Sequence, residues 1–200
     1  DSRHNLRINA DGHLVYTIAA TGVVYNVASN SQKFFLGHNE DILCMAMHPE
    51  RRLVATGQLD PKGEETPYVC IWDSCDSSMA VLANLYFHER AVQALAFSVD
   101  GKKLASVGAD DDHWIGIWEW EKVIGQGGIG KEPWKDGPAG KAEVYGVEGH
   151  PSGGLVSFGA SSLKFWDVSG QGLVGKSGSF GSDAPRQVLD VCCKADGQVV

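Results

Sequence analysis

A serine, a histidine and an aspartate in the middle of this 200-residue chain could form a hydrolytic triad. They are His88, Ser106 and Asp112, and Trp118 follows a few residues later. In a triad the serine attacks, the histidine takes its proton and the aspartate orients the histidine. Similar sets recur along the sequence, whereas an active site is normally built once. We therefore predict that these four side chains form a structural hydrogen-bonded chain.

Residues 170–177, GQGLVGKS, fit the P-loop pattern GxxxxGK[ST]. In a P-loop a helix begins directly after the glycines, and its N-terminal amides hold the phosphates. The segment that follows, residues 178–185, reads GSFGSDAP and is a poor helix former. The repeat described below instead predicts an outer β-strand over Leu173–Phe180. Nucleotide binding through Lys176 is retained only as a remote alternative.

Two further patterns with chemical potential have simpler interpretations. Gly125–Gly130 matches GxGxxG, but a dinucleotide site needs a helix inside a βαβ unit, and Pro133 and Pro138 follow here. We interpret the Gly-rich insert around residues 125–140 as an inter-strand loop. The seven histidines and five cysteines show no metal-binding spacing, and four of the histidines recur at equivalent places. We expect no cofactor, no metal ion and reduced cysteines.

The elements that would position these side chains belong to an internal repeat. Aromatic residues that end short apolar segments lie at Tyr25, Trp72, Trp118 and Trp166, at spacings of 47, 46 and 48 residues. Turn signals such as Asp100-Gly101 recur with them. The apolar segment after each turn carries a hydroxyl at the matching place: Thr17, Thr56, Ser106 and Ser157. No amphipathic helix periodicity is sustained, so the chain is predicted to be all-β.

Strand, turn, strand, loop, strand and outer strand, repeated at this period, are typical of WD-repeat β-propeller blades. The predicted fold is a WD-repeat β-propeller with four blades and the start of a fifth, an incomplete ring that is part of a larger propeller. The predicted blades are 5–36, 41–86, 91–126 and 143–181, and the next begins at 187–200. The repeats are degenerate, because Tyr25 replaces the first tryptophan and Gly140 stands where the fourth blade needs its histidine.

Charge and hydropathy exclude some function classes. The net charge of −8 provides no bulk attraction to nucleic acid or to an anionic membrane. No apolar segment approaches the roughly 20 residues that span a bilayer, and the first residues do not form a signal peptide. We expect neither a nucleic-acid partner nor a membrane partner.

Some tryptophans lie outside the repeat positions. Trp120, two residues after Trp118, is predicted to continue the same strand. Trp134 lies in a polar segment, residues 131–136, and an exposed aromatic ring among mixed charges is typical of a protein contact. The candidate partner-binding residues are Trp134, Lys131 and Lys135. The alternative is that these tryptophans pack on a neighbouring blade or loop.

Several short sequence motifs follow one another in a fixed order, and this order is more specific to one family than any single motif is. They include FLGHNED at 35–41, PYVCIWDS at 67–74 and WEWEK at 118–122. In this order they resemble the echinoderm microtubule-associated protein-like (EMAP-like) family, and the resemblance runs through essentially the whole chain. The sequence departs from the family pattern in the insert around residues 125–140.

Members of that family carry a hydrophobic HELP motif followed by two fused atypical propellers, and they bind tubulin or microtubules. The resemblance implies that the chain begins just after the HELP motif and ends within the first strand of a fifth blade. It further implies a non-enzymatic, cytoplasmic and cytoskeletal module that binds tubulin, with oligomerisation left to regions outside these residues. The alternative is a general protein-interaction scaffold with other partners. Tubulin is itself acidic, so we expect weak binding by this chain alone.

Overall fold

Short β-strands dominate the computed structural model, which describes residues 4–60, 66–180 and 186–200. In chain order the elements are β1 (Leu6–Ile8), β2 (Leu14–Ile18), β3 (Thr21–Asn26), β4 (Ser31–Phe35), β5 (Ile42–Met47), β6 (Leu53–Gln58), β7 (Tyr68–Asp73), β8 (Val81–Tyr86), β9 (Val92–Phe97), β10 (Leu104–Gly108), β11 (Trp114–Trp118), α1 (Trp120–Gly125), β12 (Ile129–Gly130), β13 (Lys135–Pro138), β14 (Val144–Gly149), β15 (Leu155–Gly159), β16 (Ser162–Asp167) and β17 (Val174–Ser177). They form four sheets in the orders β1-β2-β3-β4, β12-β8-β7-β6-β5, β13-β11-β10-β9 and β14-β15-β16-β17. Consecutive strands pair antiparallel within each sheet, which confirms the predicted all-β partial propeller of four blades.

The first two strands of each sheet are joined by the turns that the sequence signals predicted. Gly12, Gly101 and Gly153 adopt φ angles of 78°, 74° and 90° in three of these turns. Glycine reaches this left-handed region without a Cβ clash, so it ends the inner strand at low cost. In the second sheet Arg51 takes the corresponding place at φ 58°, and its backbone N–H donates to the His48 carbonyl at 2.7 Å.

Most of the buried apolar side chains lie between neighbouring sheets. Val15 and Val24 of the first sheet pack with Val54 and Trp72 of the second, and Phe35 stacks on Trp72 with ring centroids 4.5 Å apart. Equivalent clusters join the second sheet to the third, the third to the fourth, and the fourth to the C-terminal segment. Because a sheet buries its apolar face only against a neighbour, each blade depends on the next for stability.

A recurring polar contact also joins neighbouring turns. The Nε2 atom of His48, in the turn of the second sheet, lies 3.2 Å from the Gly101 carbonyl in the turn of the third. His150 makes the same contact one repeat later, with its Nε2 atom 3.0 Å from the Gly197 carbonyl. The two histidines that precede prolines therefore have a structural role, because each one joins its turn to the turn of the next repeat.

The third sheet extends beyond residue 126, where the repeat period placed the end of its blade. Its outer strand is β13, and α1 and β12 come between β11 and that strand. Trp120 does not continue β11 as predicted, since it begins α1 and is buried. Its Nε1–H donates to the Gly101 carbonyl at 2.9 Å, and its ring packs edge-on against Phe97. The insert lengthens one connection only, so the period of the aromatic anchors could not reveal it.

Residues 187–200 were predicted to start a fifth blade, and none of the strands β1–β17 lies within them. It contacts the fourth sheet through an isolated bridge between Ala160 and Gln187 and a hydrogen bond from the Val188 N–H to the Gly159 carbonyl at 2.9 Å. Val191 is buried against the apolar residues of that sheet. Within the segment, Cys193 and Val199 form an antiparallel bridge, and Cys192 and Val200 exchange backbone hydrogen bonds at 2.8 and 3.0 Å. The segment therefore covers the far side of the fourth blade and folds back on itself as a short hairpin.

Candidate functional site

The His–Ser–Trp chain predicted for the third sheet is present. Trp118 Nε1–H donates to Ser106 Oγ at 3.0 Å, and His88 Nε2 lies 2.8 Å from the same oxygen. An indole N–H can only donate, so the serine hydroxyl accepts from Trp118 and is left to donate to His88. This arrangement ties the loop before β9 to β10 and β11.

The predicted aspartate of this chain is a different residue. Asp112 points away and pairs with Lys141, with 2.9 Å between the ammonium and a carboxylate oxygen. The carboxylate beside His88 belongs to Asp110, because Asp110 Oδ2 and His88 Nδ1 both lie 2.5 Å from the position that a Cβ on Gly108 would occupy. The prediction of Asp112 was therefore wrong by two residues. The reason is that Gly108 lacks the side chain that would otherwise separate Asp110 from the histidine.

The second sheet builds the same chain with another polar partner. His38 Nε2 lies 2.7 Å from Thr56 Oγ1, and Trp72 Nε1–H donates to that oxygen at 3.2 Å. The other ring nitrogen of His38 lies 2.8 Å from Gln58 Oε1, so a neutral amide replaces the carboxylate. Burial lowers the pKa of His38, and the bond to Gln58 offsets part of that effect.

The fourth sheet keeps only half of the chain. Trp166 Nε1–H donates to Ser157 Oγ at 2.8 Å. Gly140 provides no histidine, as the sequence indicated, and the Lys164 ammonium reaches this region and donates to the Ala139 carbonyl. The lysine therefore ties the same loop to the sheet by another bond, which sequence reasoning did not anticipate.

These networks do not provide a nucleophile. The Ser106 side chain is 0% exposed, and its oxygen already accepts from Trp118. Burial lowers the pKa of His88 to about 4, so the ring is neutral near pH 7. The geometry resembles a triad, but its serine oxygen is closed to a substrate, and its repetition in the second sheet indicates a structural role.

The P-loop match lies at the edge of the fourth sheet. Its last residues form β17, in which Lys176 pairs with Phe165 and Ser177 pairs with Lys164 of β16. A phosphate site needs these amides at the start of a helix, whereas here they belong to a strand. The Gly170 carbonyl in the same match accepts a hydrogen bond from Lys135. The predicted outer strand is thus present over Val174–Ser177.

The GxGxxG match is divided between two elements of the insert. Gly125 ends α1, and Gly130 lies in β12, which pairs parallel with β8 of the second sheet. The Gly128 carbonyl accepts a hydrogen bond from the Asn84 N–H at 2.7 Å. The predicted open loop is therefore a short connection that covers the outer edge of the neighbouring blade.

The three candidate partner-binding residues have different environments. Lys131 is exposed, and Trp134 is 44% exposed. The Trp134 ring lies between the ammonium groups of Lys103 and Lys135, which are 3.9 and 4.1 Å from its centroid. Lys135 is itself buried and donates to the carbonyls of Val168 and Gly170 in the fourth sheet. Lys135 therefore joins two blades, and only Lys131 and Trp134 are open to a partner.

Sequence reasoning missed a groove at one end of the third sheet. Two aromatic rings, Phe87 and Trp114, form its floor, and acidic residues surround them. The groove encloses about 430 Å³. The sequence signals were an extra tryptophan directly after the turn and three consecutive aspartates before it.

Within the described ranges, no group of histidine, cysteine or acidic side chains could hold a metal ion. In the same ranges no helix is long and apolar enough to cross a bilayer. The candidate binding sites are therefore the ends of the blades and the loops that connect their strands.

A family model described as "Echinoderm microtubule-associated protein first beta-propeller" matches residues 31–200. The chain belongs to this family. Human echinoderm microtubule-associated protein-like 1 is 33% identical over 100% of this chain, which covers 25% of the human protein. The 77 kDa echinoderm microtubule-associated protein of Strongylocentrotus purpuratus is 34% identical, again over 100% of the chain and 29% of the relative. Rat echinoderm microtubule-associated protein-like 2 is 32% identical over 100% of the chain and 31% of the relative.

The EMAP-like chain spans between a quarter and a third of the length of these relatives. The family match covers residues 31–200 and so assigns the second, third and fourth sheets to the first propeller of such proteins. Tyr25 and Gly140 depart from the usual blade, but the order of strands within their sheets is kept.

Proposed function

We propose that this chain is a non-enzymatic binding module of the cytoplasmic cytoskeleton that contacts tubulin or microtubules. The observation that carries the proposal is family membership, because relatives named as microtubule-associated proteins match 100% of the chain at 32–34% identity. The four packed sheets support it physically. They form a platform whose strands are held by neighbouring blades while the connecting loops are free to vary.

A non-enzymatic role is supported by the state of the candidate catalytic groups. Ser106 is buried and already hydrogen-bonded, and Lys176 lies in a strand. Neither group is arranged to attack a substrate or to hold a phosphate.

The surface that we assign to tubulin contains Lys131 and Trp134. Both are exposed on the insert of the third sheet, and Lys103 and Lys135 lie over the Trp134 ring. Lys103 is paired with Glu119, and two acidic residues lie within residues 131–136, so the charge here is close to balanced, whereas the whole chain carries −8. An acidic partner such as tubulin would therefore be repelled less here than by the rest of the surface. The affinity of this chain alone should therefore be weak.

Co-sedimentation with stabilised microtubules tests the proposal. We expect the chain to pellet partly at an excess of microtubules, and a variant with Lys131→Glu and Trp134→Ala to pellet several-fold less. Lys33→Glu is the matched control, because Lys33 is equally exposed but lies on the first sheet. Its pelleting should equal that of the unaltered chain.

The possible outcomes test the function, the assigned surface and the expected affinity separately. A chain that stays in the supernatant at every microtubule concentration would contradict the proposed function. Unchanged pelleting of the double variant would retain the function and reject the assigned surface. Micromolar binding that moderate salt abolishes would contradict the expected weakness. Recovery of other proteins without tubulin from a lysate would favour the alternative, a general scaffold.

A further inference from the structure

The groove at the end of the third sheet is formed by two connections. One is the loop from β8 to β9, and the other is the turn from β10 to β11. Its lining residues are Phe87, Glu89, Arg90, Asp110, Asp111, Asp112 and Trp114. None of these residues belongs to the surface that we assigned to tubulin.

The aromatic floor of the groove is held in place by its surroundings. The Phe87 and Trp114 rings meet edge to face, with centroids 6.4 Å apart and an interplanar angle of 75°. Phe87 also packs edge-on against the buried Trp118 ring at 6.3 Å. The Trp114 backbone N–H donates to Asp110 Oδ1 at 3.0 Å, while its side chain stays 37% exposed. The Trp114 ring is therefore held in position and exposed to solvent.

The acidic rim has more carboxylates than cations. Arg90 pairs with Asp111 at 2.7 Å, and Lys141 pairs with Asp112 at 2.9 Å. Among the residues that the structure describes, no cation pairs with Glu89 or Asp110. Arg90 also lies near enough to both carboxylates to interact with them electrostatically. Four carboxylates therefore face two cations, Arg90 and Lys141, and the groove keeps a net negative charge.

A buried nitrogen faces the same carboxylate. His88 is 3% exposed, and its Nδ1 atom has no hydrogen-bond partner within the described part of the chain. This nitrogen and Asp110 Oδ2 each lie 2.5 Å from the position that a Cβ on Gly108 would occupy. Because the buried ring is neutral near pH 7, it does not cancel the charge of Asp110. An unsatisfied polar atom therefore lies behind the groove, close to the Asp110 carboxylate that lines it.

The repeat does not account for the aromatic pair. Four residues before the anchor tryptophan, the second sheet has Tyr68, the third has Trp114 and the fourth has Ser162. Tyr68 stacks on His38 at 5.4 Å and donates to the Gly37 carbonyl at 3.1 Å, so its ring is engaged within its own blade. In the third sheet Phe87 stands at the place of Gly37 and the tryptophan is left open.

We propose that this groove binds a lysine or arginine side chain of a basic segment in a partner protein. The cation would lie over the Trp114 ring and between the carboxylates of Glu89 and Asp110. Aromatic faces attract cations, and an acidic rim selects basic partners over acidic ones. Trp134 differs in this respect, because Lys103 and Lys135 of the chain already lie over its ring. The groove is therefore acidic and open to a cation, whereas the ring at the tubulin surface is already occupied.

Fluorescence anisotropy of the full chain with two labelled peptides tests this proposal. The probes are an Arg-Gly repeat peptide and a Glu-Gly repeat peptide of the same length at low salt. We expect saturable binding of the first and none of the second. Trp114→Leu keeps the apolar volume but removes the aromatic face, and it should weaken binding about tenfold, which corresponds to about 1.4 kcal/mol. Glu89→Lys, on the exposed loop, should abolish binding without affecting the fold.

Trp134→Leu is the matched control, because it removes another exposed tryptophan whose ring is already covered by lysines. It should leave the affinity for the basic peptide unchanged. The proposal is overturned if the chain fails to bind the Arg-Gly peptide, or if it binds both peptides equally. Unchanged binding by Glu89→Lys overturns it as well, and this variant keeps the test valid should Trp114→Leu unfold.

Discussion

At the scale of single residues, the buried hydroxyls decide how each blade is held together. Thr56 and Ser106 each connect an anchor tryptophan to a histidine, and Ser157 connects to the tryptophan alone. A buried polar group without a partner destabilises the fold. Each hydroxyl accepts a hydrogen bond from a tryptophan N–H that would otherwise have no partner. The same groups that could be mistaken for catalytic ones are therefore needed for the fold.

The neutral state of His88 predicts how stability depends on pH. Burial lowers its pKa from 6.5 to about 4, and the nearby Asp110 carboxylate raises it by a smaller amount. Between these pH values the unfolded chain binds a proton that the folded chain does not, so the free energy of unfolding falls as the pH is lowered. Above pH 6.5 the histidine contributes no pH dependence. Across the whole window the loss is about 3 kcal/mol.

Urea unfolding at neutral and at mildly acidic pH measures this effect. His88→Gln removes one of two buried histidines with a lowered pKa and should reduce the pH dependence, leaving the part that His38 contributes in the same direction. Its stability at neutral pH is also lower. His13→Gln is the control, because His13 is partly exposed, and it should keep the slope of the unaltered chain. If His88→Gln and the unaltered chain lose stability in parallel, the assignment to His88 is wrong.

At the scale of elements, the insert of the third sheet links two blades. It leaves β11, forms α1, adds β12 to the outer edge of β8 and returns as β13. Unpaired strand edges invite association with other chains, so β12 protects part of the second blade. Lys135, at the start of β13, then ties the third sheet to the fourth.

Gly128 should be the residue on which this link depends. Its φ is +79°, and a Cβ there would meet the Leu82 carbonyl oxygen at 2.6 Å. Gly128→Ala should cost about 1–3 kcal/mol through backbone strain and should loosen β12 from β8. Hydrogen exchange of the Asn84 N–H, which donates to the Gly128 carbonyl, should become faster.

Gly125→Ala provides the comparison for that measurement. Gly125 lies at the end of α1, and a Cβ there would meet nothing within 4 Å. Exchange at Asn84 should then match that of the unaltered chain. Protection that survives in Gly128→Ala would show that the second blade does not need β12.

At the scale of the whole molecule, none of the other sheets that the structure describes packs against one face of the first sheet. The register places Leu6, Tyr16, Val23 and Phe34 in one row across its four strands. Leu6 is 57% exposed and Phe34 is 51% exposed, whereas Val23 between them is buried at 3%. The opposite face, which includes Val15, is buried against the second sheet.

We expect this open face to make the chain self-associate as its concentration rises. Phe34→Lys should shift the population toward monomer in sedimentation velocity, because a charge in the row opposes burial. Val27→Lys should not, since Val27 is equally exposed but lies in the turn between β3 and β4. A monomer at all concentrations, or equal effects of the two substitutions, would contradict this expectation.

The sequence by itself determined the architecture and most of the internal polar network. Spacing of the anchors set the period, glycine turns set the strand ends, and His88, Ser106 and Trp118 were identified as one chain. These features are local or strictly periodic, so each repeat reinforces the interpretation of the others. The same periodicity placed the residues of the P-loop match in an outer strand.

Only the tertiary structure decided the features that depend on contacts between blades or on a missing side chain. The absent Cβ of Gly108 places Asp110, and not Asp112, beside His88. The path of the insert buries Lys135 and starts a helix at Trp120. The groove at Trp114 arises where two connections distant in sequence meet. No periodic signal encodes such meetings, because they depend on how neighbouring blades pack together.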